Sequence, residues 1–268
     1  MKKVLACVLI SFVFFTANTS ANELIFNTQD FPPFNYLENG RVVGPAAEII
    51  RLVCRSIEVR CSFNLMVWKD AQNEVRQGKA HAMFVIGWNK KRTEWLYFSP
   101  QIMQTEYGFF VAEGNGLSYS SPLDIQGYKV GVYGPSNTAR SLEKIKKKME
   151  RNKAIAPIEI DLKPDDILVF KDLSSSNRTI KAAYSNRDVG NAIIRNNRLS
   201  GIRYAGTQRK LDYYIGFAKA HVEKSLVNRF NKMFIQLYKN GEINKILNKY
   251  QMQQSNIEPH IISYYSRL

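Results

Sequence analysis

Residues 127–138, GYKVGVYGPSNT, hold the clearest strand-to-helix transition in the chain. The small and apolar residues before Gly134 predict a short buried strand. Gly134 and Pro135 predict a turn, and Ser136 is a residue type that commonly begins a helix. A similar order of strand, turn and helix begins at Leu24, and the pattern restarts here. Two such starts predict two α/β units, each with a largely parallel sheet.

Further strands and helices are predicted for both units, and the chain is expected to cross between the units twice. Short apolar runs alternate with segments of helical periodicity up to about residue 250. The predicted strands are 24–28, 61–67, 82–87, 105–112, 127–133, 167–170, 191–194 and 213–218, and the predicted helices are 46–57, 70–78, 136–149, 175–184, 225–239 and a last one ending at 250. The tail from residue 253 has no clear pattern. An interface between two such units is a preferred place for a small ligand.

The first 21 residues have the pattern of a secretory signal peptide. Lys2 and Lys3 precede an almost wholly apolar run at 4–15, and small residues occupy 19–21. This order predicts cleavage near Ala21 and a mature protein in the periplasm. After residue 21 the sequence has no apolar run of the roughly 18 residues needed to span a bilayer.

The chain is strongly basic, with 38 Lys and Arg against 23 Asp and Glu and a formal net charge of +15. Residues 1–21 hold two lysines and no acid, so the mature chain keeps +13. Such a balance fits nucleic acid, an anionic membrane surface or acidic solutes. Export argues against nucleic acid, which we do not expect as a partner. The lysine-rich run 144–148 is interpreted as a solvated helix face.

Cys54 and Cys61 are the cysteines that remain after residue 21. Two cysteines seven residues apart in an oxidising compartment favour a disulfide. A metal site is disfavoured because two cysteines without a nearby histidine cannot complete a four-ligand site. The sequence has no nucleotide-binding loop and no Ser-His-Asp arrangement, so we expect no cofactor, no metal and no catalytic residue.

Several ordered segments carry a family resemblance over residues 24–252. They are FPPFNY at 31–36 followed by Gly44, the Cys54-to-Cys61 spacing, QGKAH at 77–81, Arg92 six residues before FSP at 98–100, IQGYKVGV at 125–132 and Asn240-Gly241 before a closing helix. Together they resemble the type II periplasmic solute-binding proteins, in the polar amino-acid branch that serves ABC importers. Relatives in that branch carry a disulfide with the same cysteine spacing.

The resemblance implies a two-lobed α/β fold, each lobe a mostly parallel sheet flanked by helices, joined by two hinge strands. Lobe 1 is expected at 22–112 and 211–252, lobe 2 at 118–205, the hinge at 113–117 and 206–210, and a tail at 253–268. It further implies a monomer that binds a small polar ligand, closes by hinge motion and delivers the ligand to an ABC-transporter permease in the inner membrane.

The resemblance also implies where a ligand carboxylate binds. Arg92 would come from lobe 1, where its guanidinium can form a bidentate fork. Ser136 would come from lobe 2, at a helix start that offers backbone N–H groups and the positive end of the helix dipole. Asn137 and Thr138 would add further donors. A carboxylate between Arg92 and this helix start would bridge both lobes.

The resemblance also implies contacts to the rest of the ligand, and one of them lacks its usual residue. Phe31 and Trp68 match family positions that stack on the ligand, and Asn89 precedes Arg92 where hydroxyl residues are usual. Amino-acid binders of this group place an aspartate after the predicted strand 191–194 to hold the α-ammonium, and Asn196 is the nearest match. Either another acid replaces it, with Asp188, Asp30 and Glu48 as candidates, or the ligand lacks an ammonium. His81 replaces a family aspartate and is expected to be structural.

Two alternatives to a transport receptor are also compatible with the sequence. Cyclohexadienyl dehydratases resemble these binding proteins and eliminate water and carbon dioxide from prephenate-like substrates, which requires a general acid in the cleft. A stand-alone sensor or interaction protein on the same fold is the other. The residues around Arg92 and Ser136 show no well-placed carboxylate, so a binding protein without catalysis is favoured.

Overall fold

The computed structural model describes residues 23–268, so the predicted signal peptide lies outside the described range. The strands are β1 (Glu23–Thr28), β2 (Tyr36–Glu38), β3 (Arg41–Val43), β4 (Arg60–Leu65), β5 (Ala82–Ile86), β6 (Leu96–Phe98), β7 (Met103–Ala112), β8 (Lys129–Tyr133), β9 (Glu159–Lys163), β10 (Ala182–Asn186) and β11 (Ile202–Ala218). The helices are α1 (Pro45–Ser56), α2 (Trp68–Arg76), α3 (Lys90–Thr93), α4 (Asn137–Arg151), α5 (Asp166–Ser174), α6 (Arg187–Asn196), α7 (Lys224–Lys239), α8 (Glu242–Lys249) and α9 (Pro259–Arg267). Within this range no helix is both long and apolar enough to cross a bilayer.

The main sheet has the order β4-β1-β5-β11-β7-β10-β8-β9, with β6 also paired to β11. At one end β1 pairs in parallel with β4 and β5, and at the other β8 pairs in parallel with β9 and β10. Between them β7 and β11 form a long antiparallel pair. The predicted α/β fold, with two mostly parallel units joined by two strands, is confirmed.

Two groups of buried side chains follow this division. The first packs β1, β4 and β5 against α1 and α7, with Phe26, Phe84 and Phe230 fully buried. The second packs β8 and β10 against α4, with Leu142 and Tyr184 fully buried. Apolar helix faces spaced at three and four residues supply both groups. Each parallel unit therefore has its own hydrophobic core.

The packing moves the lobe boundary away from its predicted position. Met103 belongs to the first core, whereas Tyr107 and Val111 belong to the second. On β11 the change falls between Leu211, which packs on the second core, and Tyr213, which is buried in the first. The predicted limit of lobe 1 at residue 112 does not follow this division. Of the segments predicted as hinges, 113–117 contributes Leu117 to the second core, and 206–210 lies on β11 between Ala205 and Leu211, which both pack in that core.

Three elements of the second lobe differ from the prediction. Residues 167–170 lie in α5 rather than in a strand, 175–184 form a loop and most of β10 rather than a helix, and 191–194 lie in α6. A short apolar run does not distinguish a buried strand from a helix. Here the capping residues decide, because Asp165 accepts from the Leu168 N–H at 2.7 Å and Asn186 accepts from the Asp188 N–H at 2.9 Å.

Two further features lie in the first lobe. Cys54 of α1 and Cys61 of β4 form the expected disulfide, with Cα atoms 6.3 Å apart. The tail without a clear sequence pattern contains α9, whose Tyr265 hydroxyl accepts a hydrogen bond from the Asn231 amide of α7 at 3.0 Å. The disulfide ties the first long helix to the edge strand of the sheet, and α9 covers one side of α7.

Candidate functional site

The carboxyl ends of the parallel strands lead to most of the predicted site residues. In the first lobe β1 runs towards Phe31, β4 ends just before Trp68, and β5 is followed by α3 with Arg92. In the second lobe β8, β9 and β10 are followed directly by α4, α5 and α6. Ligands of open α/β sheets bind outside the carboxyl ends of the strands. This edge of each lobe is therefore the candidate site.

Arg92 is held at the edge of the first lobe by its own loop. Its Nη1 donates to the Gly87 carbonyl at 2.6 Å, and its backbone N–H donates to the Asn89 Oδ1 at 2.9 Å. Partial burial lowers the pKa of Arg92. No carboxylate between residues 23 and 268 forms an ion pair with it. The remaining N–H groups of this guanidinium are therefore available to an anion.

Trp68 lies beside Arg92, and Phe31 packs against aromatic residues of the first core. The Arg92 Cζ is 5.7 Å from the centre of the Trp68 ring, and Trp68 is partly buried. Phe31 packs 5.0 Å from Phe34 and 6.1 Å from Tyr213, between ring centres, so it lies beside the passage between the lobes. Trp68 can thus form a wall beside an anion on Arg92.

Asn89 is exposed and caps α3. Its side-chain Oδ1 accepts from the Arg92 N–H. The structural role of Asn89 is therefore to hold the turn that positions Arg92.

The start of α4 presents backbone donors more than side-chain donors. The Ser136 hydroxyl donates to the Tyr133 carbonyl at 2.6 Å and accepts from the Ala139 N–H at 2.9 Å. Thr138 is buried and lies 2.7 Å from the same hydroxyl, oxygen to oxygen. Asn137 is exposed, and its Oδ1 accepts from Arg140 at 2.5 Å. The Arg140 N–H donates to the Ser136 carbonyl at 3.2 Å, so the N–H groups of Asn137 and Thr138 are those at the start of α4 that remain available to an anion.

The structure does not bring Asn196 to this edge. The interpretation of 191–194 as a strand was wrong, and Asn196 is the exposed last residue of α6. It lies roughly 14 Å along the helix from Arg187 at 1.5 Å per residue. The strand that precedes α6 ends at Asn186. The position after the strand therefore falls on Asn186 to Asp188, at the opposite end of the helix.

Asp188 is held in a buried polar cluster. It is 4% exposed, and its Oδ2 accepts from the Thr105 hydroxyl at 2.6 Å. Its Oδ1 lies 3.4 Å from the Arg187 Nη2, and Arg187 also pairs with Glu106 at 2.8 Å. Burial raises the pKa of Asp188, while Thr105 and Arg187 oppose that rise. This carboxylate already has a donor and a cation.

The other two acids considered from the sequence are placed differently. Glu48 of α1 pairs with the Lys249 ammonium at 2.8 Å and accepts from the Tyr250 hydroxyl. Asp30 is exposed just after β1. His81, the residue expected to be structural, accepts from the Ile25 N–H through Nδ1 at 3.0 Å, and burial lowers its pKa.

Asp166 was missed from the sequence. It is the first residue of α5, it is partly buried, and its Oδ1 accepts from the Ser185 hydroxyl at 3.2 Å. Burial raises the pKa of Asp166 to about 6, and nearby Asp165 adds to the rise. The signal was present in the sequence, since Asp165 and Asp166 precede an apolar run in the way that capping acids precede a helix.

The geometry agrees with a comparison against known families. The model of the bacterial extracellular solute-binding proteins, family 3, matches residues 24–253. The chain belongs to this family.

Relatives of this solute-binding protein agree in fold at low sequence identity. A probable amino-acid-binding protein, YxeM of Bacillus subtilis (strain 168), is 22% identical over 235 residues, covering 84% of this chain and 82% of that protein. The structure of the probable amino-acid ABC transporter extracellular-binding protein ytmK from Bacillus subtilis has a TM-score of 0.72 and 18% identity, covering 86% of this chain and 98% of that chain. An ancestral arginine-binding protein bound to arginine has a TM-score of 0.64 and 23% identity, covering 86% and 98%. At these identities the structural likeness establishes the two-lobed fold.

A family 3 protein binds a solute outside the cell membrane, and here each lobe offers a different group to an anion. The first lobe offers the Arg92 guanidinium beside Trp68. The second offers the Asn137 and Thr138 N–H groups at the start of α4. Among the described residues no group of three or more His, Cys, Asp or Glu side chains is placed to hold a metal ion.

Proposed function

We propose that this protein is a periplasmic receptor for a small polar carboxylate, an amino acid or a related acid, which it delivers to an ABC importer by closing its cleft. The observation that carries the proposal is Arg92. Its guanidinium is partly buried beside Trp68 at the carboxyl edge of the first lobe, and it has no carboxylate partner among residues 23–268. A desolvated cation of this kind is stabilised by an anionic ligand.

Closure follows from the division of donors between the lobes. A carboxylate that binds the Arg92 fork can also accept from the N–H groups at the start of α4. Both contacts exist together only when the lobes approach. The ligand then binds the closed form more tightly than the open form, which is the differential affinity that a ligand-driven closure requires.

The moving part is proposed to be the β7–β11 pair near Thr105 and Tyr213. These strands pass from one core to the other, and their hydrogen-bond register is irregular between Thr207 and Arg209. A two-stranded connection between separate cores is a place where a small backbone rotation moves a whole lobe. We therefore propose that the hinge lies at 103–107 and 209–213.

The cellular setting is also part of the proposal. A signal peptide at residues 1–21 would export the chain, and the cleaved protein would act as a monomer that docks on a permease in the inner membrane. The family membership supports an extracytoplasmic location. The permease would contact both lobes and would bind their closed arrangement more tightly than the open one. Docking and cleft closure would then be coupled.

A ligand screen tests the function. We expect the melting temperature of the purified protein to rise with at least one L-amino acid or small carboxylate, and isothermal calorimetry to give a one-to-one complex. Arg92→Ala should weaken that complex, whereas Arg76→Ala should not, because Arg76 stacks on Trp95 at 3.8 Å in an exposed part of α2. Absence of binding by the whole panel would contradict the proposal.

A dehydratase on this fold is the alternative function, and Asp166 is the carboxyl group that would have to act as its general acid. A carboxyl group with a pKa of about 6 suits a general acid, which elimination from prephenate needs. Incubating the protein with prephenate and following the aromatic product decides between the two. Product formation that disappears in Asp166→Asn would establish the enzyme. If no product forms at high protein concentration, the receptor function is favoured.

A further inference from the structure

We propose that a groove between α9 and the loop after β5 is a second binding site, separate from the cleft, for a small aromatic acid. This α9 groove has a volume of about 580 Å³, a size typical of small-molecule sites. Its lining includes Trp88, Phe98, Tyr214, His260, Tyr264 and Arg267. The inference goes beyond the proposed function, because it concerns a different ligand on a different surface.

The α9 groove is separate from the site proposed for the transported carboxylate. Its walls come from the loop after β5, the end of β6 with the turn that follows, β11 and α9. Arg92, Trp68 and the start of α4 do not line it. α9 also follows residues 24–253, the part of the chain that the family model matches. One wall of the α9 groove therefore lies outside the segment shared with the family.

α9 is held against the first lobe and directs three long side chains to the groove. Its Tyr265 packs on the first core, and the Tyr265 hydroxyl accepts from the Asn231 amide of α7 at 3.0 Å. Residues four and three positions apart lie on one face of a helix. The groove-lining residues with this spacing are His260, Tyr264 and Arg267. The attachment through α7 thus fixes the position of an aromatic ring and a guanidinium at the groove.

Exposed aromatic side chains mark the α9 groove as an interaction site. Trp88 is 58% exposed and Tyr264 is 46% exposed. Phe98 and Tyr214 are partly buried, and their ring centres lie 5.7 Å apart in an edge-to-face arrangement. A concentration of apolar surface that remains open to water is typical of a binding surface. A flat aromatic ligand would cover these rings by stacking or edge contacts.

The charge of the α9 groove favours an acid over a neutral or cationic aromatic molecule. Arg267 is exposed, and no carboxylate in the part of the chain that the structure describes forms an ion pair with it. No Asp or Glu lines the groove. The guanidinium can bind a carboxylate through two parallel hydrogen bonds, and the His260 imidazole offers a further N–H. An aromatic ring that carries a carboxylate therefore matches both the walls and the charge.

The experiment uses the mature full chain and matched probes. Calorimetry would measure the binding of 3-phenylpropionate and indole-3-acetate, of their neutral amides, and of hexanoate as an acid without an aromatic ring. Tyr264→Ala is paired with Tyr264→Phe, which keeps the ring. Arg267→Gln is paired with Arg229→Gln, which removes the same charge from an exposed position of α7 that does not line the groove.

We expect at least one aromatic acid to bind the wild-type protein at least tenfold more tightly than its amide and than hexanoate. Tyr264→Ala should weaken this acid at least fivefold, whereas Tyr264→Phe should leave its affinity within twofold. Arg267→Gln should also weaken the acid at least fivefold and leave the amide within twofold, because the amide has no charge to lose. Arg229→Gln should change neither affinity by more than twofold.

An aromatic acid also carries the carboxylate that the cleft is proposed to bind, and Arg92→Ala separates the two places. We expect Arg92→Ala to bind the aromatic acid within twofold of the wild type. If Arg92→Ala loses the probe while Tyr264→Ala retains it, the probe binds in the cleft, the inference about the α9 groove is wrong and the receptor function stands. If no aromatic acid binds the wild type, the inference is refuted, whereas the receptor function is decided by the amino-acid screen.

Sedimentation velocity tests a second copy of the chain as the occupant. We expect a monomer at all concentrations in the wild type and in Tyr264→Ala. A wild-type dimer that Trp88→Ala or Tyr264→Ala converts to a monomer would show that the α9 groove is an interface between copies, and this would overturn the site for a small acid.

Discussion

The Thr105 hydroxyl donates a 2.6 Å hydrogen bond to the buried carboxylate of Asp188. Thr105 lies on β7, at the point where this strand passes between the two cores, and Asp188 lies in the first turn of α6. The bond therefore fixes the second lobe to the connecting strand. Because the carboxylate is 4% exposed, water cannot easily replace the donor if it is removed.

Thr105→Val should accordingly lower the stability of the protein. The change keeps the shape of the side chain but leaves a buried carboxylate oxygen without its donor, at a cost of about 1–3 kcal/mol. Urea unfolding followed by fluorescence measures the loss. Thr179→Val is the control, because Thr179 donates to Asp172 at the same 2.6 Å on the surface, where water can substitute. Equal losses in the two variants would contradict the role given to the buried pair.

Arg92→Ala should weaken the binding of the best carboxylate ligand at least tenfold, which corresponds to about 1.4 kcal/mol or more. Arg92→Lys should recover only part of the loss, since an ammonium keeps the charge but not the bidentate fork. Calorimetry at constant pH and salt measures both. Affinity that stays at the wild-type value in Arg92→Ala would remove Arg92 from the site.

Loss of the Cys54–Cys61 bond should lower stability without loss of binding. The bond closes a loop of seven residues, for which the chain-entropy relation gives roughly 2–3 kcal/mol. We expect a double Cys54→Ser, Cys61→Ser variant to melt at a lower temperature and to bind ligand within about twofold of the wild type. Titration of two free thiols in the native exported protein would show that the disulfide does not form.

Asp166→Asn should raise the stability of the ligand-free protein near neutral pH. Burial raises the pKa of Asp166 to about 6, above the unfolded value of 3.8, so the folded state favours the protonated acid. The group therefore supports folding below pH 3.8 and loses that contribution as the pH rises through 6. The asparagine side chain at position 166 carries no charge at any pH. Its melting temperature should exceed that of the wild type by about 2 °C at pH 7.5, and the difference should vanish near pH 4.

Thermal melts of wild type, Asp166→Asn and Asp165→Asn over pH 4–8 measure this difference. Asp165 is exposed, so its variant should show no comparable gain. A gain of equal size in both variants would mean that net charge, rather than the burial of Asp166, is responsible.

The sequence predicted the first lobe more accurately than the second. Its strands alternate with helices that have long apolar stripes, such as α1 with Ile49, Ile50 and Val53 on one face. Residues 167–170 and 191–194 are short apolar runs without such a stripe, and periodicity alone cannot separate a strand from a helix there. The caps at Asp165 and Asn186 resolve them. The mistake changed the predicted site, because it took Asn196 as the residue that follows the strand, whereas the strand ends at Asn186 and α6 begins at Arg187.

The sequence by itself predicted the family, the α/β fold and the Cys54–Cys61 pair, and it led to the proposal that Arg92 binds a carboxylate. These depend on local order and spacing, which survive at low identity. Only the tertiary structure decided which acids are available. Asp188 is held by Arg187 and Thr105, Glu48 is held by Lys249, and Asp166 lies at a strand end with no cation partner in the described chain. Whether a carboxylate can bind a ligand depends on what is already packed against it, and those neighbours come from distant parts of the chain.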